Sequence, residues 1–103
     1  MINDILTAAG IPNRETRFLR IPDGTYAVWF DDITADGPDG ANRIFTHDLT
    51  VELYEPKPDD DAEAAIEAEL DARGLQWTKQ ARYWLGDAQR YQVIYEFTHI
   101  TKT

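Results

Sequence analysis

From Ile44 to Glu55 the residues change character at every step. Phe45, His47, Leu49, Val51 and Leu53 fall on one face of an extended chain, and Thr46, Asp48, Thr50 and Glu52 fall on the other. Side chains of a strand alternate between the two faces of a sheet. The pattern therefore describes a half-buried antiparallel strand with water on its polar side. It is the longest such run in the sequence, and its Ile44 end is expected to project beyond the sheet as a ribbon. The other segments must cover one face of this strand and leave the other wet.

A second strand is expected over Thr25–Asp31, opened by the turn signal Pro22-Asp23-Gly24. Tyr26, Val28 and Phe30 share one face, and Ala27 and Trp29 the other. Large apolar residues on both faces mark an inner strand or one whose outer face meets a partner. Asp31–Arg43 reads as a long polar loop with Asp-Gly twice, expected to be mobile in the isolated chain and ordered in an assembly. The C-terminal part reads as a hairpin. Leu75–Leu85 rises, Gly86-Asp87-Ala88 turns, and Gln89–Ile100 returns with Tyr91, Val93, Tyr95, Phe97 and His99 on one face.

Two helices complete the pattern. Ile2, Ile5, Leu6 and Ala9 form a helical stripe that Asn3-Asp4 can cap; Gly10 ends it, Ile11 folds back and Pro12 prevents continuation. Asp59–Arg73 is the second helix. Asp60 and Glu63 have the spacing of an acidic capping box, Ala62, Ile66 and Leu70 form a narrow stripe, and Gly74 with Leu75 supplies the C-terminal cap. Each helix is apolar on one stripe only and needs a sheet to cover. The expected fold is one α+β domain over residues 1–103, in the order α-β-β-α-β-β. Its mainly antiparallel four-stranded sheet carries both helices on the face of Phe45, Leu49, Val51, Leu53, Tyr91, Val93, Tyr95 and Phe97.

Composition narrows the function. The chain of 103 residues has no cysteine, which removes disulfide scaffolds, thiolate zinc sites and cysteine nucleophiles. Its net charge is -9, opposite to the sign that neutralising phosphates requires, so neither sequence-specific nucleic-acid binding nor binding to an acidic membrane is expected. Met1–Gly10 shows no basic region followed by a long apolar run, so no signal peptide is expected. No apolar stretch reaches the ~20 residues of a membrane span.

No catalytic residue, metal site or cofactor site is expected, and no enzyme. Asp32-Ile33-Thr34-Ala35-Asp36-Gly37 opens like a calcium loop, but Arg43 stands where that loop needs a glutamate. His47 and His99 lie on apolar strand faces, with no spacing that suggests further zinc ligands. Glu63 and Glu67 share a helical face within an acidic helix and read as solvated. Arg14, Arg17 and Arg20, in the connector 13–24, form the one basic concentration and suit an acidic neighbour, including another copy of the chain.

The Ala9-Gly10-Ile11-Pro12 helix end, the strands Tyr26-Ala27-Val28-Trp29-Phe30 and His47-Asp48-Leu49-Thr50-Val51-Glu52-Leu53-Tyr54, Trp77-Thr78-Lys79, and Tyr91-Gln92-Val93-Ile94-Tyr95-Glu96-Phe97 span nearly the whole chain. In this order they resemble the small tail components of long-tailed phages and prophages known as tail terminator or tail completion proteins. The resemblance implies a structural virion protein: a ring, commonly of six copies, that caps the finished tail tube and joins it to the head. It would act in the virion tail and assemble in the host cytoplasm, with the tail tube protein and a head-closure protein as partners. Within that reading, Trp29, Ile33, Asp36, Asp39, Arg43, Ile44, Arg14, Arg17 and Arg20 are the expected self-association residues. The Asp-rich loop and the acidic helix are the candidates for an acidic channel lining. The alternatives are another minor tail or head-closure component, and an acidic regulatory protein that mimics DNA and blocks a nucleic-acid-binding partner.

Overall fold

The computed structural model describes residues 2–37 and 44–102. The elements in chain order are α1 (Ile2–Ala8), β1 (Asn13–Glu15), β2 (Tyr26–Asp36), β3 (Ile44–Glu55), α2 (Asp60–Ala72), β4 (Trp77–Lys79), β5 (Tyr83–Leu85) and β6 (Arg90–Lys102). They form a six-stranded mixed sheet in the order β1-β2-β3-β6-β4, with β5 also on β6. The α+β class is as expected; the four-stranded antiparallel sheet is not.

Three differences account for the change. First, β1 runs parallel to β2, Asn13 opposite Ala27 and Glu15 opposite Trp29, within the expected connector. Ile11 is folded back on α1, so the chain leaves the helix beside β2, where the Ala27 amide donates to the Pro12 carbonyl (2.9 Å). Three polar residues then pair through their backbone alone and leave no alternation to read. Second, the rising strand is broken between Lys79 and Tyr83 into β4 and β5. The Gln80 amide still donates to the Ile94 carbonyl (2.9 Å), so the break is a local detour along the same edge of β6. Third, β2 runs on to Asp36, paired with β3 down to Asp36 opposite Ile44. Pairing satisfies the backbone whatever the side chains, so the stretch Asp31–Asp36 expected in the loop is strand. The remainder of that expected loop, residues 38–43, lies outside the described residues.

The two helices pack together on one face of the sheet, as the stripes predict. Ile2, Ile5, Leu6 and Ile11 meet Ile66 and Leu70 over Ala27, Leu49, Val51, Leu53, Val93, Tyr95 and Phe97. Each Ile, Leu, Val or Phe among them contributes roughly 1.5–3 kcal/mol on burial. Phe45 and Tyr91, expected under the helices, are only half-buried. Both helices end in the same way. Gly10 (φ 78°) and Gly74 (φ 69°) take the left-handed conformation, and the amides of Ile11 and Leu75 donate back to Leu6 and Leu70 (3.0 and 3.1 Å).

At its start, α2 is capped by Asp59 rather than by the expected Asp60. One carboxylate oxygen of Asp59 accepts from the Ala62 amide (3.0 Å), and the other accepts from the Thr25 hydroxyl (2.6 Å) beside the start of β2. Asp60 instead faces Arg82 (2.8 Å). Asp59→Ala is therefore expected to cost about 1–2 kcal/mol in urea denaturation, and Asp60→Ala less than 1 kcal/mol, because the Asp60 side chain is 90% exposed. Thr16, at the end of β1, has φ 69°, a conformation that strains a β-branched residue. Thr16→Gly is expected to raise stability by up to about 1 kcal/mol in the same assay.

Candidate functional site

The long strands outrun the helices that cover them. β2, β3 and β6 continue past the core as a three-stranded ribbon, and the molecule extends 49 × 28 × 22 Å. On the helix side of the ribbon, Ile33, His47 and His99 form one row, and Ala35, Phe45 and Thr101 the next. His47 ties the ribbon together: Nδ1 lies 3.0 Å from both carboxylate oxygens of Asp31, and Nε2 lies 3.3 Å from the Thr101 hydroxyl. The other side of the ribbon carries Thr34, Thr46 and Ile100, then Asp36 and Ile44. Ile33 (57% exposed), Ile44 (39%) and Ile100 (58%) thus present apolar surface on both faces.

Ile33, Asp36 and Ile44 of the expected self-association set all lie on the ribbon, Ile33 on the helix side and Asp36 with Ile44 on the opposite side. Asp39 and Arg43 lie outside the described residues. Trp29 sits elsewhere, against the core, with its indole Nε1 buried and without a partner among the described residues. Loss of Trp29 would therefore act first on packing. Arg14 lies on β1 with its guanidinium 5.8 Å over the Phe18 ring, and Arg17 and Arg20 are exposed in the connector that follows. That connector leans on the open sheet face, where Phe18 meets Tyr26 edge-on and Tyr26 stacks on Tyr54. Ile100 is an addition to the expected set; with Ile94 it interrupts the polar face of the last strand, and that was the signal for it.

The acidic surface also differs from expectation. Asp32 faces Asp48 directly across the open side of the sheet, with Glu52 and Glu96 on the same side. Like charges in that position destabilise a strand pair, and here the Thr98 hydroxyl relieves Asp48 by donating to it (3.0 Å). On α2, by contrast, Glu63 is buried and Glu67 half-buried, which corrects the solvated reading of these two, while Asp60, Asp61 and Asp71 stay exposed.

Beneath α2 the structure builds a charge seam that the sequence did not reveal. Glu55 is fully buried and Glu63 is 5% exposed. Arg82, on the β4–β5 detour, donates to Glu55 (3.2 Å), Asp60 (2.8 Å) and Glu63 (2.6 Å). Lys79 reaches Glu63 (2.8 Å) and Glu67 (2.7 Å), and the Tyr95 hydroxyl also donates to Glu67 (2.7 Å). The alternation of β3 was the available signal for Glu55, since it shares the inward parity of Leu53.

Burial pushes the Glu55 carboxyl up to about 8, helped by the neighbouring Glu63 and opposed by Arg82. Burial also works against the Glu63 carboxylate. Hydrogen bonds from Glu55, Lys79 and Arg82 outweigh it and hold the Glu63 pKa below its ordinary value. The second oxygen of Glu55, Oε2, is buried without a hydrogen-bond partner, and a proton on Glu55 turns it into a donor toward Glu63. The seam thus sets Lys79 and Arg82 against the carboxylates of Glu55, Asp60, Glu63 and Glu67, and burial makes Glu55 the one that holds a proton most readily. Among the described residues, no three His, Cys, Asp or Glu side chains converge as a metal-binding group, and no helix is long and apolar enough to cross a membrane.

The sign of the pH effect follows. Glu55 binds its proton more tightly in the fold than at the unfolded value of 4.5, so its contribution is full below 4.5 and lost as pH rises through about 8. Glu55→Gln keeps a neutral group there at every pH. The wild type is therefore expected to lose melting temperature relative to Glu55→Gln between about pH 4.5 and about pH 8, and to change little relative to it above that range. Glu63→Gln, which strips a partner from both Lys79 and Arg82, is expected to cost about 1–3 kcal/mol at neutral pH, because both cations are partly exposed and keep other carboxylates, Glu67 for Lys79 and Glu55 and Asp60 for Arg82.

No protein-family model matches the chain, and no curated protein matches it. Among solved structures it is similar to a chain in the virion of a native gene transfer agent particle. The TM-score is 0.64 at 16% identity, over 96% of this chain and 84% of that one. At that identity the likeness is one of fold.

Proposed function

We propose that the chain is a structural virion protein that assembles into a ring, caps the tail tube as a tail terminator or completion protein, and joins it to the head. The observation that carries this reading is the ribbon: three strands held together by the Asp31–His47–Thr101 bonds, with apolar residues exposed on both faces and, among the described residues, no helix over them. The fold shared with a chain of a gene transfer agent virion supports a place in a phage-like particle. The long-tailed phage resemblance supplies the station and the ring. The role is one of assembly rather than catalysis.

In this ring the open sheet face, with Asp32, Asp48, Glu52 and Glu96, lines the channel, and the two helices face outward. A carboxylate wall repels passing DNA and keeps it from sticking. A subunit of charge -9 also repels its own copies. Salt screens that repulsion, since charges farther apart than ~8 Å interact little at physiological ionic strength.

Sedimentation velocity across a salt series is the test. Apolar contacts at the ribbon predict association that increases with salt, and Ile33→Asn, which leaves the charge unchanged, is expected to abolish it while leaving the melting temperature within a few degrees of wild type. Association that falls with salt would shift the interface to the Arg14, Arg17 and Arg20 connector. A monomer at every salt and at high protein concentration would overturn the ring and favour the acidic DNA-mimic alternative.

A further inference from the structure

The ribbon has two free edges, and they differ. β1 pairs with β2 only as far as Trp29, whose carbonyl accepts from the Thr16 amide. From Phe30 to Asp36 no strand lies on the outer side of β2 among the described residues. β4 and β5 pair with β6 only up to Phe97, so among the described residues the outer edge of β6 is also open over 98–102. An unpaired edge is a template for another strand, and proteins that do not use such edges usually shorten or cover them.

We propose that a second copy of this chain pairs there, the outer edge of β6 in one subunit joining the outer edge of β2 in the next. This deepens the ring reading above and rests on it. Charge selects the pairing. The β2 edge carries Asp31, Asp32 and Asp36 with no basic residue, whereas Thr98–Thr101 contains no carboxylate. Two β2 edges brought together would set aspartates against aspartates, which opposes pairing. Two β6 edges would leave both β2 edges unused and close a dimer. β6 to β2 uses both edges, is head-to-tail, and so can propagate around a ring.

The direction follows from topology. β2 and β6 are both antiparallel to β3, so they run the same way. A neighbour that continues the sheet by rotation therefore meets the edge in parallel. Between chains this needs no crossover connection. Continuity of the pleat keeps odd-numbered residues of both strands on the helix side and even-numbered residues on the open side. The open, carboxylate-bearing face then remains continuous from one subunit to the next.

Because the chain has no cysteine, disulfide trapping reads the junction cleanly. Thr34 and Ile100 are both exposed and flank Thr46 from opposite sides. Two strand spacings separate them, roughly 9–10 Å, too far for a bond within one subunit. Full-length Thr34→Cys/Ile100→Cys, and Thr34→Cys/Thr98→Cys for the neighbouring register, are oxidised under the salt conditions that associate the wild type. The expected result is a ladder of covalent multimers on a non-reducing gel from at least one double variant, with every single variant remaining monomeric on that gel. Ile33→Cys/His99→Cys repeats the test on the helix side should the first pairs disturb folding. No ladder from any pair while the wild type associates would overturn the edge pairing and leave the ring standing. A covalent dimer from Ile100→Cys or Thr98→Cys alone would also overturn it, in favour of β6 against β6. A wild type monomeric at every salt would overturn both readings.

Discussion

The structure depends on β3 being paired along its whole length on both sides. Its partners β2 and β6 hold register from the core end to the tip, from Tyr54 between Tyr26 and Gln92 to Ile44 between Asp36 and Lys102. A strand of 12 residues spans ~40 Å, whereas the 13 residues of α2 span ~20 Å and the 7 of α1 only ~10 Å. The sheet is too long for its helical cover. One end becomes a core in which Leu53, Val93 and Tyr95 are fully buried; the other becomes a ribbon that leaves Ile33, Ile44 and Ile100 in water. The same mismatch produces both the buried core and the exposed apolar surface of the ribbon.

The charge seam explains why the edge of the sheet is broken where it is. An uninterrupted strand from Trp77 to Leu85 would alternate past α2. The detour at Gln80–Arg82 instead brings Arg82 to Glu55, Asp60 and Glu63, while Lys79 holds Glu63 and Glu67. The seam ties the end of β3, the first half of α2 and the β4–β5 edge into one unit. Buried ion pairs add little net stability over apolar packing, but losing one partner leaves a stranded charge and is costly. The seam therefore restricts how α2 can sit on the sheet more than it strengthens the fold. It also draws Glu63 and, in part, Glu67 inward, while Asp60, Asp61 and Asp71 of α2 stay exposed and the open side of the sheet carries a second acidic surface.

A ring-forming protein needs edges that meet its neighbours and do not meet themselves. In the ring proposed above, the aspartates along β2 would provide that discrimination, because they disfavour two identical edges without blocking a neutral one. The aromatic contacts at the far end of the open face do a different job. Phe18 against Tyr26, and the guanidinium of Arg90 holding the Pro22 and Asp23 carbonyls (3.2 and 3.0 Å), fix the connector onto the sheet. The two ends of the molecule are thus divided between a braced end and an end with open strand edges.

Periodicity and turn chemistry are local, and the sequence determined what depends on them. The alternation of β3 and β6, the two helical stripes, the glycine caps at Gly10 and Gly74, the ribbon at Ile44 and the packing of both helices on one face all follow from repeats of two or 3.6 residues and from left-handed glycines. Only the tertiary structure decided the rest, because it turns on partners distant in sequence. β1 is a strand because α1 delivers it beside β2. Asp31–Asp36 is a strand because β3 satisfies its backbone. Asp59 rather than Asp60 caps α2 because Thr25 and Arg82 hold the two apart. Glu63 and Glu67 read as solvated in a helix that is acidic nearly all round; they are drawn inward because Lys79 and Arg82, more than ten residues away along the chain, approach from another edge. A carboxylate carries no mark in the sequence of whether its countercharge will arrive, and that arrival is a property of the fold alone.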